Sequence, residues 1–142
     1  MFEASCPLCA DTAETSFWRD DLCRVIWVDD ENYPGFCRVI LNAHVKEMTD
    51  LPPDQRHRLM GVVFAVEMAV REIALPDKVN LASLGNVVPH MHWHVIPRWA
   101  DDVNFPDAIW APRRRAAAPR TLPDDFKALL HARIQALLRS PD

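Results

Sequence analysis

Apolar residues fall in short runs early in the chain and recur at helical spacing in two later stretches. Residues 22–28 are rich in β-branched and aromatic side chains. They run into Asp29, Asp30, Glu31, Asn32, Tyr33, Pro34 and Gly35, a dense turn signal, and residues 36–41 resume as a strand. Two apolar runs flanking such a turn predict an antiparallel hairpin. After Asp50, Pro52 and Pro53, the positions Leu59, Val62, Val63, Val66, Ala69, Val70 and Ile73 recur every three or four residues. That period predicts one amphipathic helix over 54–74, ended by Pro76. Residues 79–84 read as a strand running into Gly85 and Asn86 as a bend or bulge, and residues 91–96 as the next strand, closed by Pro97. Thr121, Leu122, Pro123 and Asp124 then open a last helix, lined on one face by Phe126, Leu129, Leu130, Ile134, Leu137 and Leu138. Strands, a long helix and more strands specify an α+β fold with an antiparallel β-sheet, one long helix and a C-terminal helix.

With 142 residues there is room for one domain with a sizeable core, and 49% hydrophobic against 25% charged residues is the balance of a globular protein. Residues 1–110 read as that domain. Residues 111–142 read as an Ala/Pro/Arg-rich extended linker and a helix that packs on the same domain or on a dimer partner. Sixteen Lys and Arg against 20 Asp and Glu leave a net charge of −4, no global field for a phosphate backbone, so a dedicated nucleic-acid binder is not expected. The first residues carry neither a basic start nor an apolar run. The longest apolar stretch, 61–70, is interrupted by Glu67, so neither a secretory signal nor a membrane span is expected and the cytoplasm is the expected compartment. In a reducing compartment the Cys6-Pro-Leu-Cys9 pair calls for a metal or redox reading, whereas Cys23 and Cys37, on strand segments, read as buried apolar fillers.

The densest chemistry lies in Pro89-His90-Met91-His92-Trp93-His94-Val95-Ile96-Pro97-Arg98. Strand side chains alternate, so His90, His92 and His94 project from one face while Met91, Trp93 and Val95 turn to the core. Imidazole titrates near neutral pH, which suits such a row to metal ligation or to nucleophilic and acid/base chemistry. A zinc site made only of the three histidines is disfavoured, because alternate strand side chains stand about 6 to 7 Å apart without converging.

His90-Met91-His92-Trp93-His94-Val95-Ile96 resembles the signature of the histidine triad (HIT) family: His, apolar, His, apolar, His and two apolar residues. Pro34-Gly35 followed by Val39-Ile40-Leu41 and His44 is similar to that family's second strand, and Asn80 leading to Gly85 to its phosphate-side loop. The resemblance covers residues 6–98. It implies the HIT-like α+β fold, a homodimer, and a nucleotide hydrolase or transferase that cleaves at the α-phosphate of dinucleoside polyphosphates, phosphoramidates or nucleotidyl conjugates. Carried over residue by residue, it makes His92 the nucleophile of a nucleotidyl-histidine intermediate, with His94 as proton donor and phosphate contact. Main-chain N–H groups near Gly85 and Asn86 would hold phosphoryl oxygens. Asp29, or Asp30, would meet the ribose hydroxyls of a purine nucleoside phosphate, Ile26 or Trp27 would face the base, and Asn80 would touch the nucleotide. A plain polar turn at 29–32 and a structural role for Asn80 stay open.

The pattern departs from the family at Phe36, where many relatives have a histidine, at Val87, where many have Ser or Thr, and at Asn86, where Gln is usual. In some relatives a cysteine pair and two histidines hold zinc, which here would be Cys6, Cys9, His44 and His90. Such a site is structural, with no catalytic cofactor required. Two alternatives stand beside this reading: a nucleotide-binding or zinc-stabilised interaction protein with little turnover, and a hydrolase using the histidine row as an open metal site. Arg113, Arg114 and Arg115 read as a solvated, flexible run. Trp99 and Trp110 are expected at a dimer interface or near a pocket, and His57 and His131 at the surface.

Overall fold

In the computed structural model, which describes residues 2–10 and 15–139, five strands form one antiparallel sheet in the order β1-β2-β3-β5-β4. The chain runs α1 (Pro7–Ala10), β1 (Thr15–Arg19), β2 (Cys23–Trp27), β3 (Cys37–Leu41), a 3-10 turn at Met48–Asp50, α2 (Pro53–Ala74), β4 (Lys78–Ala82), β5 (His92–Arg98) and α3 (Phe126–Leu138). Residues 140–142, the end of the expected linker-and-helix segment, lie outside the described residues.

Alternation gives the sheet two different faces. Cys23, Val25, Cys37, Val39, Leu41, Val79 and Val95 pack with Leu59, Val63, Val66 and Val70 of α2 and with Phe126, Leu130 and Ile134 of α3 in the main core. The C-terminal helix therefore closes on its own chain. The opposite face carries Arg24, Arg38, Asn80, His92, His94 and Arg98, in columns fixed by the register pairs Ile26↔Arg38, Arg38↔His94 and Ala82↔His94. A second small core of Tyr33, Phe36, Ile96 and Val103 covers part of it.

Several boundaries differ from those expected. The last strand runs through Pro97 to Arg98, and a proline is tolerated there because β3 begins with Cys37 opposite Val95, leaving that side of β5 without a ladder partner at 97. The strand starts at His92, although the Leu41 N–H still bonds to the Met91 carbonyl. β1 and α1 were not legible. β1 is short and interrupted by an irregularity between Ser16 and Trp18, and α1 is a single turn. Gly35 sits at φ 98 in the hairpin turn, where a Cβ would also press on the Phe126 ring at 3.3 Å.

The stretch after β5 has no regular structure but is held by buried polar bonds. Arg98 is fully buried and pairs with Asp102 (Nε to Oδ2, 2.8 Å; Nη2 to Oδ1, 3.0 Å), while its Nη1 donates to Asn80 Oδ1 and its Nη2 also to the Asp107 carbonyl. Asp102 also accepts from the backbone N–H groups of Trp99, Asn104 and Phe105. The arginine run at 113–115 is exposed, as the solvated reading expects, but two of its members are held. Arg114 pairs with Asp107, and Arg115 donates to the carbonyls of Asp102 and Phe105, so two of the three tie this strap to itself, while Arg98 ties it to the sheet. Trp99 is buried under the Arg120 guanidinium, 4.2 Å from the ring centre.

Candidate active site

β5 and the loop before it distribute the three histidines between two neighbouring sites. His90 precedes the strand and is buried, its Nε2–H donating to the Leu41 carbonyl at 2.6 Å. That bond leaves Nδ1 as the lone-pair nitrogen, 3.5 Å from the sulfurs of both Cys6 and Cys9. His44 Nδ1 is 3.4 Å from Cys9 Sγ, and the four donor atoms lie within 4.8 Å of one another.

A tetrahedral zinc, with Zn–S of ~2.3 Å and Zn–N of ~2.0 Å, sets neighbouring sulfur and nitrogen donors about 3.5 Å apart. The tetrad has that spacing and a soft, borderline donor set suited to zinc. A carbonyl-bound imidazole is also the usual way a histidine ligand is oriented. Burial pushes the Cys9 thiol above its ordinary range. Cys23, pushed up to about 12, and Cys37, pushed higher still, are buried and inert, as their strand positions suggest.

His92 and His94 line a cavity of about 410 Å³ with Leu8, Arg38, Gly85, Asn86 and Trp110 among its walls. His92 Nδ1–H donates to the His90 carbonyl at 2.6 Å, so the Nε2 lone pair is the unprotonated nitrogen of that ring. The two imidazoles meet edge to face, with centroids 5.0 Å apart. His94 is buried among Phe36 at 5.7 Å, Trp110 at 5.0 Å and Arg38, whose Nε–H donates to His94 Nδ1 at 3.2 Å. Burial first, then the nearby Arg38 charge and His92, pushes the His94 pKa down to about 4. Burial lowers those of His90 and His92 as well. At pH 7 the cavity thus holds neutral imidazoles beside a guanidinium.

The loop that closes the cavity needs Gly85, at φ 71, and carries Leu84 and Val87 on an exposed lip. Val87, where a hydroxyl was noted as missing, is 93% exposed.

The structure brings together His92, His94 and Asn86, and separately Cys6, Cys9, His44 and His90. Three expected nucleotide residues have other surroundings. Trp27 packs edge-on against Phe126 at 5.1 Å under the Lys127 ammonium, on the side covered by α3. Asp29 is exposed and faces Lys127 at 3.6 Å. Asn80 serves Arg98. None of the three lines the cavity with His92 and His94.

Sequence reasoning passed over Arg38 and Leu8, which do. A lone arginine within the apolar run of β3 was the available signal for Arg38. Leu8 has none, because α1 is held over the sheet by long-range contacts, those of Cys6 and Cys9 with the histidines and the Arg24 bond to the Leu8 carbonyl at 2.6 Å. Trp110, 53% exposed, is the cavity tryptophan.

Residues 11–101 match the family model described as the HIT domain. Among curated proteins, the AP-4-A phosphorylase of Mycobacterium tuberculosis is 28% identical over 78 residues, which make up 51% of this chain and 40% of that protein. The chain thus spans about half or less of the length of the curated relatives it matches. Among solved structures, a histidine triad protein from Marinobacter aquaeolei VT8 superposes with a TM-score of 0.71 at 29% identity, covering 97% of this chain and 96% of that one. A Zn-bound histidine triad family protein from Mycobacterium smegmatis does so with a TM-score of 0.63 at 25% identity, covering 94% and 95%.

Proposed function

Because the chain belongs to the HIT domain family, whose members process nucleotides, we propose that it cleaves nucleotide substrates at the α-phosphate through a nucleotidyl-histidine intermediate on His92. The observation that carries this reading is the bond from His92 Nδ1–H to the His90 carbonyl, which leaves Nε2 unprotonated beside His94 in the cavity. A neutral imidazole so oriented is a competent nucleophile at pH 7.

Nε2 attacks phosphorus, the N–P bond forms, and the bond to the leaving group breaks with its electron pair. Water, or another acceptor, then displaces the imidazole and releases the nucleoside monophosphate. His94 and the backbone N–H groups at Gly85 and Asn86 hold the phosphoryl oxygens. Leu8 and Trp110 offer apolar walls to the nucleoside. The name of the mycobacterial relative supports a dinucleoside polyphosphate as substrate and phosphate as a second acceptor to try.

Cys6, Cys9, His44 and His90 would hold zinc. All four of its positions are then taken by protein donors, so the ion supplies a structural cross-link. The chain is also read as a homodimer. β4 is an edge strand, and near it Leu81 and the α2 residues Phe64 and Met68 are exposed apolar groups. Among the described residues no helix is long and apolar enough to cross a membrane.

The test is turnover of a panel of dinucleoside polyphosphates and an adenosine phosphoramidate by wild type and His92→Ala, with and without chelator. The expected outcome is activity that resists brief chelation and falls at least a thousandfold in the variant, with nucleotide binding retained. Near-normal turnover by His92→Ala would overturn the covalent mechanism. Nucleotide binding without turnover by wild type would favour the interaction-protein alternative, and metal-restored activity the open-site hydrolase.

A further inference from the structure

Among the described residues, Arg38 is the one permanently charged side chain lining the cavity, and the chemistry above gives it no part. The sheet register sets it directly across from His94. Its Nε–H points at His94 Nδ1 at 3.2 Å, and its guanidinium lies 5.7 Å from the Phe36 ring centre.

A guanidinium has donors and no acceptor, so the histidine nitrogen facing it must accept. The only proton His94 then carries is on Nε2. A second proton, on Nδ1, would set two donors and two positive charges against each other within a buried site.

We infer that Arg38 is a positioning residue for the reaction: it fixes His94 as the neutral Nε2–H tautomer and makes it a hydrogen-bond donor to the phosphoryl group instead of a proton donor to the leaving group. The inference rests on the nucleotidyl-histidine reading and narrows its substrate class. When His92 Nε2 bonds to phosphorus and a P–O bond breaks, a phosphate or polyphosphate departs as a stable anion and needs no proton. When a P–N bond breaks, the amine must take up a proton as it leaves, and a neutral His94 held by Arg38 does not supply it. The site therefore selects phosphoanhydride over phosphoramidate linkages. The pKa of His94, lowered by burial and by the two groups facing it, Arg38 on β3 and His92 on its own strand, agrees with this assignment.

The experiment compares the full-length wild type with Arg38→Gln, which keeps an N–H donor without the charge, and Arg38→Met, which removes both. Folding of each is first checked by thermal denaturation, with Arg38→Lys as a further variant should Arg38→Met fail to fold. Nitrogen-15 NMR of the imidazoles reads the His94 tautomer, and steady-state kinetics reads a dinucleoside tetraphosphate against an adenosine phosphoramidate. Wild type and Arg38→Gln are expected to show His94 protonated on Nε2 alone, and Arg38→Met a mixture of tautomers. The preference for the tetraphosphate is expected to fall about tenfold or more in Arg38→Met, largely through kcat. A wild-type His94 protonated on Nδ1, or an Arg38→Met protein with unchanged tautomer and unchanged preference, would overturn the inference. Failure of wild type to turn over either substrate would remove the function proposed above, while the tautomer in Arg38→Met would still decide whether Arg38 positions His94.

Discussion

His94 and Arg98 stand four residues apart on one face of β5, both buried and with different partners. The Arg98 guanidinium is met by Asp102 with two hydrogen bonds, and the Asp107 carbonyl and Asn80 also accept from it. His94 has no carboxylate among the partners that surround it here and stays neutral, its pKa pushed down to about 4. In an unfolded chain that imidazole would titrate near 6.5. Between these values the unfolded state takes up a proton that the folded state refuses, so stability falls as the pH drops from about 6.5 to about 4 and levels off below. The loss from this one residue is on the order of 2 kcal/mol, and urea unfolding at pH 7 and pH 4.5 should record it, with a smaller acid loss in His94→Asn. Equal losses in the two proteins would show that His94 is not the group responsible. At this scale, alternation and spacing single out the row His90, His92 and His94 and the Cys6-x-x-Cys9 pair, and the family resemblance gives His92 and His94 their separate roles. Trp27 and Asp29 lie outside the lining of the His92 cavity and beside α3, whose packing over the end of β2 no local pattern announces.

At the scale of elements, α2 was readable from its period, while its end shows a local cost. Pro76 disfavours the right-handed helical region for the residue before it, and Leu75 takes up φ 50, ψ 51, with its N–H on the Arg71 carbonyl. A side chain at positive φ is strained, and Leu75 is 76% exposed, so its packing offsets little of that. Leu75→Gly is expected to stabilise the protein by about 0.5–1 kcal/mol, read as a higher urea midpoint at unchanged slope. A lower midpoint would mean that the leucine packs more than its exposure indicates. The strap after β5 shows the opposite case. It has no hydrophobic period and no regular structure, yet Trp99, Asp102, Val103 and Asn104 are buried in it. Side chain-to-backbone bonds around Asp102 hold it in place of a ladder, and they deliver Trp110 to the cavity. Polar networks of this kind leave no periodic trace, so residues 99–110 carry no expected element, and the arginine run and linker are read only from 111 onward.

For the molecule as a whole, the antiparallel sheet with two helices on one face follows from the order of the runs, since strands on both sides of one long helix leave few other arrangements. On β5 the two faces are legible from the alternation of residues 90–95, while on β2 and β3 both faces are largely covered and Arg24 and Arg38 mark the functional one. Native mass spectrometry of protein purified under reducing conditions should give twice the chain mass with two zinc ions. One zinc per chain at the monomer mass would remove the dimer alone, and a metal-free dimer would remove the zinc reading. Chelation should lower the melting temperature, and His44→Ala should weaken that dependence.

Cys6 and His90 are separated by 84 positions in the chain, and their side chains meet 3.5 Å apart. An unfolded chain that gathered the same four donors would have to close that long loop, at an entropic cost that grows with the logarithm of its length. The folded sheet has met this cost before any ion arrives. An ion bound by the tetrad therefore favours the folded state by the difference between its two affinities, and unfolding expels it. Appearance of free zinc during a melt, followed with a colorimetric chelator too weak to strip the native site, would then trace the opening of the sheet itself.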